Sequence, residues 1–199
     1  MIIHILKAGM PFVKEGRTME KLLALALELG FDHAAPLDAG KLRALPEVRD
    51  MCASGRCRRY GKNWSCPPAC GTIEECQARM SRYTGGILVQ TTAQLADDFD
   101  METMNLAQET HKKRFFDLAR QARLLYPDVL PLTAGSCTVC RACTYPDKPC
   151  RFPHKMLSSM EAYGLLVSEV CQQAGLPYYY GPKTLTYSSC ILMKEGNTP

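Results

Sequence analysis

The chain has 199 residues, 46% of them hydrophobic, with 24 Lys+Arg against 20 Asp+Glu and a formal charge of +4. That length can bury a full core in one domain, and the hydrophobic share excludes a disordered or fibrous chain. Eleven cysteines, an odd number bunched in two places, exclude a small secreted disulfide scaffold and point to metal-linked sulfur in a reducing cytoplasm. The opening Met1-Ile-Ile-His4 stretch lacks the basic region and apolar run of a secretory signal. No apolar run approaches the ~20 residues that a membrane-crossing helix needs.

Residues 1–17 are apolar, broken by Gly and Pro, and hold at most a short strand. Thr18 is placed to cap a helix over 19–29, with Leu22, Leu25, Ala26 and Leu29 on one face and Gly30 as its stop. Residues 31–37 read as a short strand, and 41–49 as a polar, helix-compatible segment. Thr72 followed by Glu75 is a capping box, which predicts a helix over 73–83. Gly85-Gly86 ends it, and Ile87–Thr92 is the clearest strand.

After an acidic connection at 93–100, residues 101–125 read as a long helix. Phe115, Leu118, Ala119, Ala122 and Leu125 form its core face, and His111-Lys-Lys-Arg114 reads as a solvated run. Residues 129–134 read as a strand. A helix is expected from Pro153 to Ala174, on the spacing of Met156, Met160, Tyr163, Val167, Val170 and Cys171. Residues 177–180 and 184–193 read as strands turned by Gly181-Pro182, and a tail follows Lys194. The alternation of helices and strands predicts an α/β or α+β sheet domain spanning 1–199, with both cysteine groups on loops at element ends.

The sharper cysteine group is Cys137-x₂-Cys140-x₂-Cys143-x₆-Cys150. It is close to the bacterial ferredoxin run C-x₂-C-x₂-C-x₃-C-P, which binds [4Fe–4S] clusters. It departs in a longer last gap and in Pro153 standing three positions after Cys150. The longer gap gives the loop reach to fold back on its own cluster, so the four cysteines read as one site. Thiolates repel unless cations hold them together, and iron supplies that charge. Arg141, Lys148 and Arg151 lie in the same loop to offset the cluster's charge. Zinc is the alternative metal, although structural zinc sites usually pair two separate C-x₂-C knuckles.

The other group is Cys52-x₄-Cys57-x₈-Cys66-x₃-Cys70-x₅-Cys76. Cys52, Cys57 and Cys66 are its best ligands, with Cys76 or Cys70 as the fourth. Cys76 falls near the positive end of a helix dipole, which favours a thiolate. Arg56, Arg58, Arg59 and Lys62 offset charge, and Tyr60 and Trp64 are placed to shield a cluster. A [4Fe–4S]²⁺ core on four thiolates carries about −2. Two of them bring the chain's +4 to about zero, so the basic balance is poor evidence for nucleic acid binding. Cys171 and Cys190 read as packing residues, and His4, His33, His111 and His154 as ordinary isolated histidines.

Val48-Arg-Asp-Met-Cys52, Cys57-x₂-Tyr60-Gly-Lys-Asn-Trp64-x-Cys66-Pro-Pro68 and Glu74-Glu-Cys76 resemble a predicted metal-binding family, domain of unknown function 2284. So do the later cysteine run, Pro149-Cys150-Arg-x-Pro153, and the preceding Ala26-Leu-Glu-Leu-Gly30-Phe31. The resemblance covers nearly the whole chain. It implies a bacterial or archaeal metal-binding protein, mostly of anaerobes and of iron–sulfur type, with no assigned reaction. Its signature favours Cys52, Cys57, Cys66 and Cys76 over Cys70. A fainter likeness, through Gly30-Phe31 and the ferredoxin-like run, is to cobalamin-dependent two-cluster reductases, for whose whole catalytic unit this chain is too short.

Walker-A, G-x-G-x-x-G, H-E-x-x-H and G-x-S-x-G motifs are absent, so nucleotide and hydrolase chemistry has no local support. The expectation is an iron–sulfur protein with two [4Fe–4S] clusters serving a redox partner protein, without nucleic acid or membrane. The alternatives are a redox enzyme or component acting on a small molecule or corrinoid, and a zinc-stabilised binding module.

Overall fold

The computed structural model describes residues 16–126 and 128–194. Among these, five helices accompany one four-stranded antiparallel sheet, which makes the fold α+β. The strands are β1 (His33–Asp38), β2 (Gly85–Gln94), β3 (Val129–Leu132) and β4 (Thr184–Met193), and their order across the sheet is β1-β2-β4-β3. The long central pair runs from Gly85 opposite Met193 to Gln94 opposite Thr184. The edge strands β1 and β3 are short, and each carries a proline, Pro36 and Pro131.

Both faces of the sheet are covered. Ile87 and Val89 of β2 and Ile191 and Met193 of β4 pack against α1 (Gly16–Glu28) and α4 (Met101–Leu125), through Leu22, Ala26, Phe115, Leu118 and Ala122. Leu88, Cys190 and Leu192 point the other way and meet Met80, Met160, Tyr163 and Cys171. Such double burial explains the unbroken apolar stretches Ile87–Val89 of β2 and Cys190–Met193 of β4. Gly86 lets these strands approach, since a Cβ there would lie 2.3 Å from the Ile191 carbonyl oxygen.

The helix over 101–125 and the strand over 184–193 have the bounds their sequences predict. The Thr72 capping box is fully formed at the start of α3 (Ile73–Met80). Between β1 and α3 lies α2 (Pro46–Ala53). The strand expected within 1–17 lies outside the described residues, except for positions 16 and 17, which belong to α1; the Thr18 side chain and the tail after Lys194 also lie outside them.

Three expectations are corrected. The helix expected over 153–174 is only α5 (Val167–Gln173), preceded by a 3₁₀ turn at Glu161–Tyr163. Gly164 at φ +78 ends that turn, and a Cβ there would meet Ile73 Cδ1 at 2.5 Å and the Leu45 backbone. The apolar spacing over 156–163 therefore packs loop and turn against the core rather than a helix face. Residues 177–180 form no strand; Tyr180 stacks on His33 with ring centroids 4.6 Å apart and donates to Gln90 Oε1 at 2.7 Å. His111 is not part of a solvated run. It is fully buried, with Nδ1 2.9 Å from Thr91 Oγ1 and Nε2 2.7 Å from Ser189 Oγ. Among the described residues no helix is long and apolar enough to cross a membrane.

Candidate metal centre

The first cysteine group spans the end of α2, the connection to α3 and the start of α3; the second lies in the long connection after β3. A bridge between Thr133 and Ser159 pinches that second connection at its base. Inside it, Thr144 Oγ1 donates to the Pro149 carbonyl at 2.9 Å and Arg151 Nη1 to the Ala142 carbonyl at 3.2 Å, which closes the turns between cysteines.

The two groups, about 70 residues apart in sequence, are fastened together. Ser65 Oγ accepts the backbone N–H of Cys137 at 3.0 Å, and Asn63 Nδ2 donates to the Cys137 carbonyl at 3.3 Å. Trp64 Nε1 donates to the Lys148 carbonyl at 3.1 Å, and its ring meets Tyr145 edge-on at 4.9 Å. Ser65 and Asn63 are buried, at 0% and 4% exposure, so the two contacts to Cys137 are shielded from water on that side. Trp64, expected to shield its own cysteine group, instead covers the other one. From α4, Lys112 Nζ adds a bond to the Ser136 carbonyl at 3.1 Å.

Cys137, Cys140, Cys143 and Cys150 line one cavity together with Asn63 and Trp64. Its volume is about 20 Å³, roughly the space of one water, so a larger core enters only if the loop spreads. All four cysteines are partly exposed. Burial pushes the Cys137 thiol above its ordinary range, and Cys150 and Cys140 add to that push.

Cys52, Cys57 and Cys66 line a second, roomier cavity of about 320 Å³, with Tyr60, Pro67 and Glu161. Burial raises the thiols of Cys52 and Cys66, and Cys57 raises both further. Mutual opposition of this kind is what a cation among the thiolates would relieve.

Cys70 and Cys76 are arranged differently. Cys76 has no exposed surface, and its thiol donates to the Cys70 backbone carbonyl across 3.9 Å. The neighbouring Cys70 side chain, with Arg79 and Arg49, lowers the Cys76 thiol, whereas the Cys76 side chain and burial raise that of Cys70. Cys70 lines a third cavity, shared with Trp64, Arg79 and Cys150. The structure thus gathers Cys52, Cys57 and Cys66 on one wall and pairs Cys70 with Cys76 behind it.

Two residues of this region were not singled out by sequence reasoning. Arg49 ties α2 to both neighbours, donating to the Gly71 carbonyl at 2.8 Å and the Ala162 carbonyl at 2.9 Å, with Cys76 Sγ at 3.6 Å. Its signal was its place in the Val48–Cys52 motif. Glu161 had no signal, because it lies in a segment that read as helix surface. Cys171 and Cys190 are fully buried, as packing residues should be.

A family model for a predicted metal-binding protein (DUF2284) matches residues 35–193, so the chain belongs to that cysteine-rich family. No curated protein and no solved structure matches the chain. Among the described residues, no three His, Cys, Asp or Glu side chains converge closely enough to hold a single metal ion.

Proposed function

We propose that this metal-binding protein carries two [4Fe–4S] clusters in one domain and exchanges electrons with a partner protein. Cys137, Cys140, Cys143 and Cys150 are the ligands of one cluster. Cys52, Cys57 and Cys66, with one further donor, are those of the other. The observation that carries this reading is the fastening of the two cysteine loops through Asn63, Trp64 and Ser65. Two redox centres that serve one carrier must lie close together, and hydrogen bonds between the loops keep their separation fixed.

The donor chemistry fits. Two sets of thiols each share a cavity without another evident task. Thiols that share a wall without converging on one point suit a core several atoms across. A lone zinc ion needs its sulfurs about 2.3 Å away. When bound, such clusters supply one-electron transfer, and the chain supplies thiolates, backbone donors and shelter from water.

A second reading, a redox enzyme acting on a small molecule, draws support from a cavity of about 420 Å³ beside Cys137, lined by Lys112, Lys113 and Lys155. The measurement that tests the main proposal is iron and acid-labile sulfide in protein kept free of oxygen. About eight of each per chain are expected for two cubanes. Protein that carries zinc, or no metal, overturns it. Turnover of a small molecule by the reduced protein without a partner favours the second reading.

A further inference from the structure

We infer that Glu161, rather than Cys76 or Cys70, supplies the fourth ligand of the second site, as a carboxylate oxygen beside Cys52, Cys57 and Cys66. This rests on the reading of those three cysteines as iron ligands.

Glu161 opens the 3₁₀ turn Glu161–Tyr163 and lines the same 320 Å³ cavity as the three thiols. Its Oε2 is buried and has no hydrogen-bond partner, the one such side-chain oxygen or nitrogen among the described residues. A carboxylate oxygen held away from water with no donor is costly, and a cation in the cavity would meet the need. Arg49 is close by, yet its guanidinium is engaged by the Ala162 and Gly71 carbonyls and by Cys76.

The cysteine alternatives are otherwise committed. Cys76 has no exposed surface and its thiol donates to the Cys70 carbonyl at 3.9 Å, while the Cys70 thiol donates to the Ala162 carbonyl at 3.5 Å. Bringing either into the cavity would break its hydrogen bond to a backbone carbonyl. Glu161 needs no such rearrangement. The turn that carries it is fixed by Gly164, whose carbonyl accepts from Leu45 N at 2.8 Å, and by the Ala162 carbonyl's bond to Arg49.

An oxygen ligand has a consequence for potential. Ligand chemistry helps set a cluster's reduction potential, and a carboxylate oxygen donates less electron density to iron than a thiolate sulfur does. The two sites of this chain would then differ in potential because their ligand sets differ.

The test compares full-length, anaerobically reconstituted wild type with Glu161→Gln, Glu161→Cys and Cys76→Ser. Iron and sulfide are counted, EPR spectra of the reduced and of the mildly oxidised proteins are recorded, and the potentials are measured. If Glu161 is the ligand, Glu161→Gln loses one of the four irons of this site on mild oxidation, with a three-iron EPR signal. Glu161→Cys keeps full iron with a shifted spectrum and a lower potential, and Cys76→Ser matches wild type. A three-iron signal from Cys76→Ser with unchanged Glu161 variants overturns the inference and leaves the two-cluster reading standing. Wild type without iron overturns both. Because Glu161→Cys restores a donor, an unfolded Glu161→Gln would not excuse an unshifted Glu161→Cys spectrum, which also overturns the inference.

Discussion

The Ser65 hydroxyl oxygen receives the backbone N–H of Cys137 at 3.0 Å, joining positions 72 residues apart at a point with no water access on the serine side. Ser65→Ala removes that acceptor and strands the amide. The cost expected is about 1–3 kcal/mol, the usual penalty for a buried donor left unpaired. For a chain of this size that lowers Tm by roughly 2–4 °C per kcal/mol. Thermal melts of the metal-loaded protein measure it, and loss of iron from both sites rather than one would mark Ser65 as the common support.

Cys140→Ser should release about half the iron of the wild type, because it breaks one four-cysteine set and leaves the other. Iron per chain reads this directly. Unchanged iron would remove the 137–150 loop from the list of metal sites.

Trp64 is the single tryptophan of the chain, and it lines the cavity of the four-cysteine loop. Its fluorescence should fall when iron and sulfide are added to metal-free protein. The fall should be much smaller in Cys140→Ser, although the other site still fills.

His111 links folding to pH. Burial, with Arg114 and Lys112 nearby, pushes its pKa from 6.5 down to about 3. The ring is therefore neutral when folded and takes a proton when unfolded, once the pH is below 6.5. Its contribution to stability is complete above pH 6.5 and is lost as the pH falls toward 3, with a slope approaching about 1.4 kcal/mol per pH unit. Urea unfolding between pH 7 and pH 5 should show this decline, and His111→Gln should flatten it.

Gly86→Ala would press a methyl group against the Ile191 carbonyl at the centre of the sheet. Crowding of this kind costs about 1–3 kcal/mol, and more where only backbone can yield. Denaturant unfolding should show the loss, while Gly55→Ala, where a Cβ has open space but φ is +82, should cost only the smaller strain of that backbone angle.

Local signals in the sequence carried much of this. The Thr72 box set the start of α3, the Tyr126-Pro127 sequence marked the end of α4, and Gly181-Pro182 marked the start of β4. Cysteine spacing was legible because it needs only neighbours along the chain. The segment from Met156 to Tyr163 misled, since its apolar residues are spaced for a helix but are held by a Thr133–Ser159 bridge and a left-handed Gly164. His111 misled because three basic neighbours hid its partners, Thr91 and Ser189, on two different strands. The nearness of the two cysteine loops and the position of Glu161 depend wholly on tertiary packing, and no stretch of residues announces them.

The outer strands have a bearing on how the protein behaves when crowded. A proline in each of β1 and β3 deletes a backbone donor from the sheet's border, where another molecule would otherwise zip on. Those two borders are thereby poorer templates for fibre growth, whereas residues 184–189 of β4 lie beyond its pairing with β3 and leave a stretch of border that no proline guards.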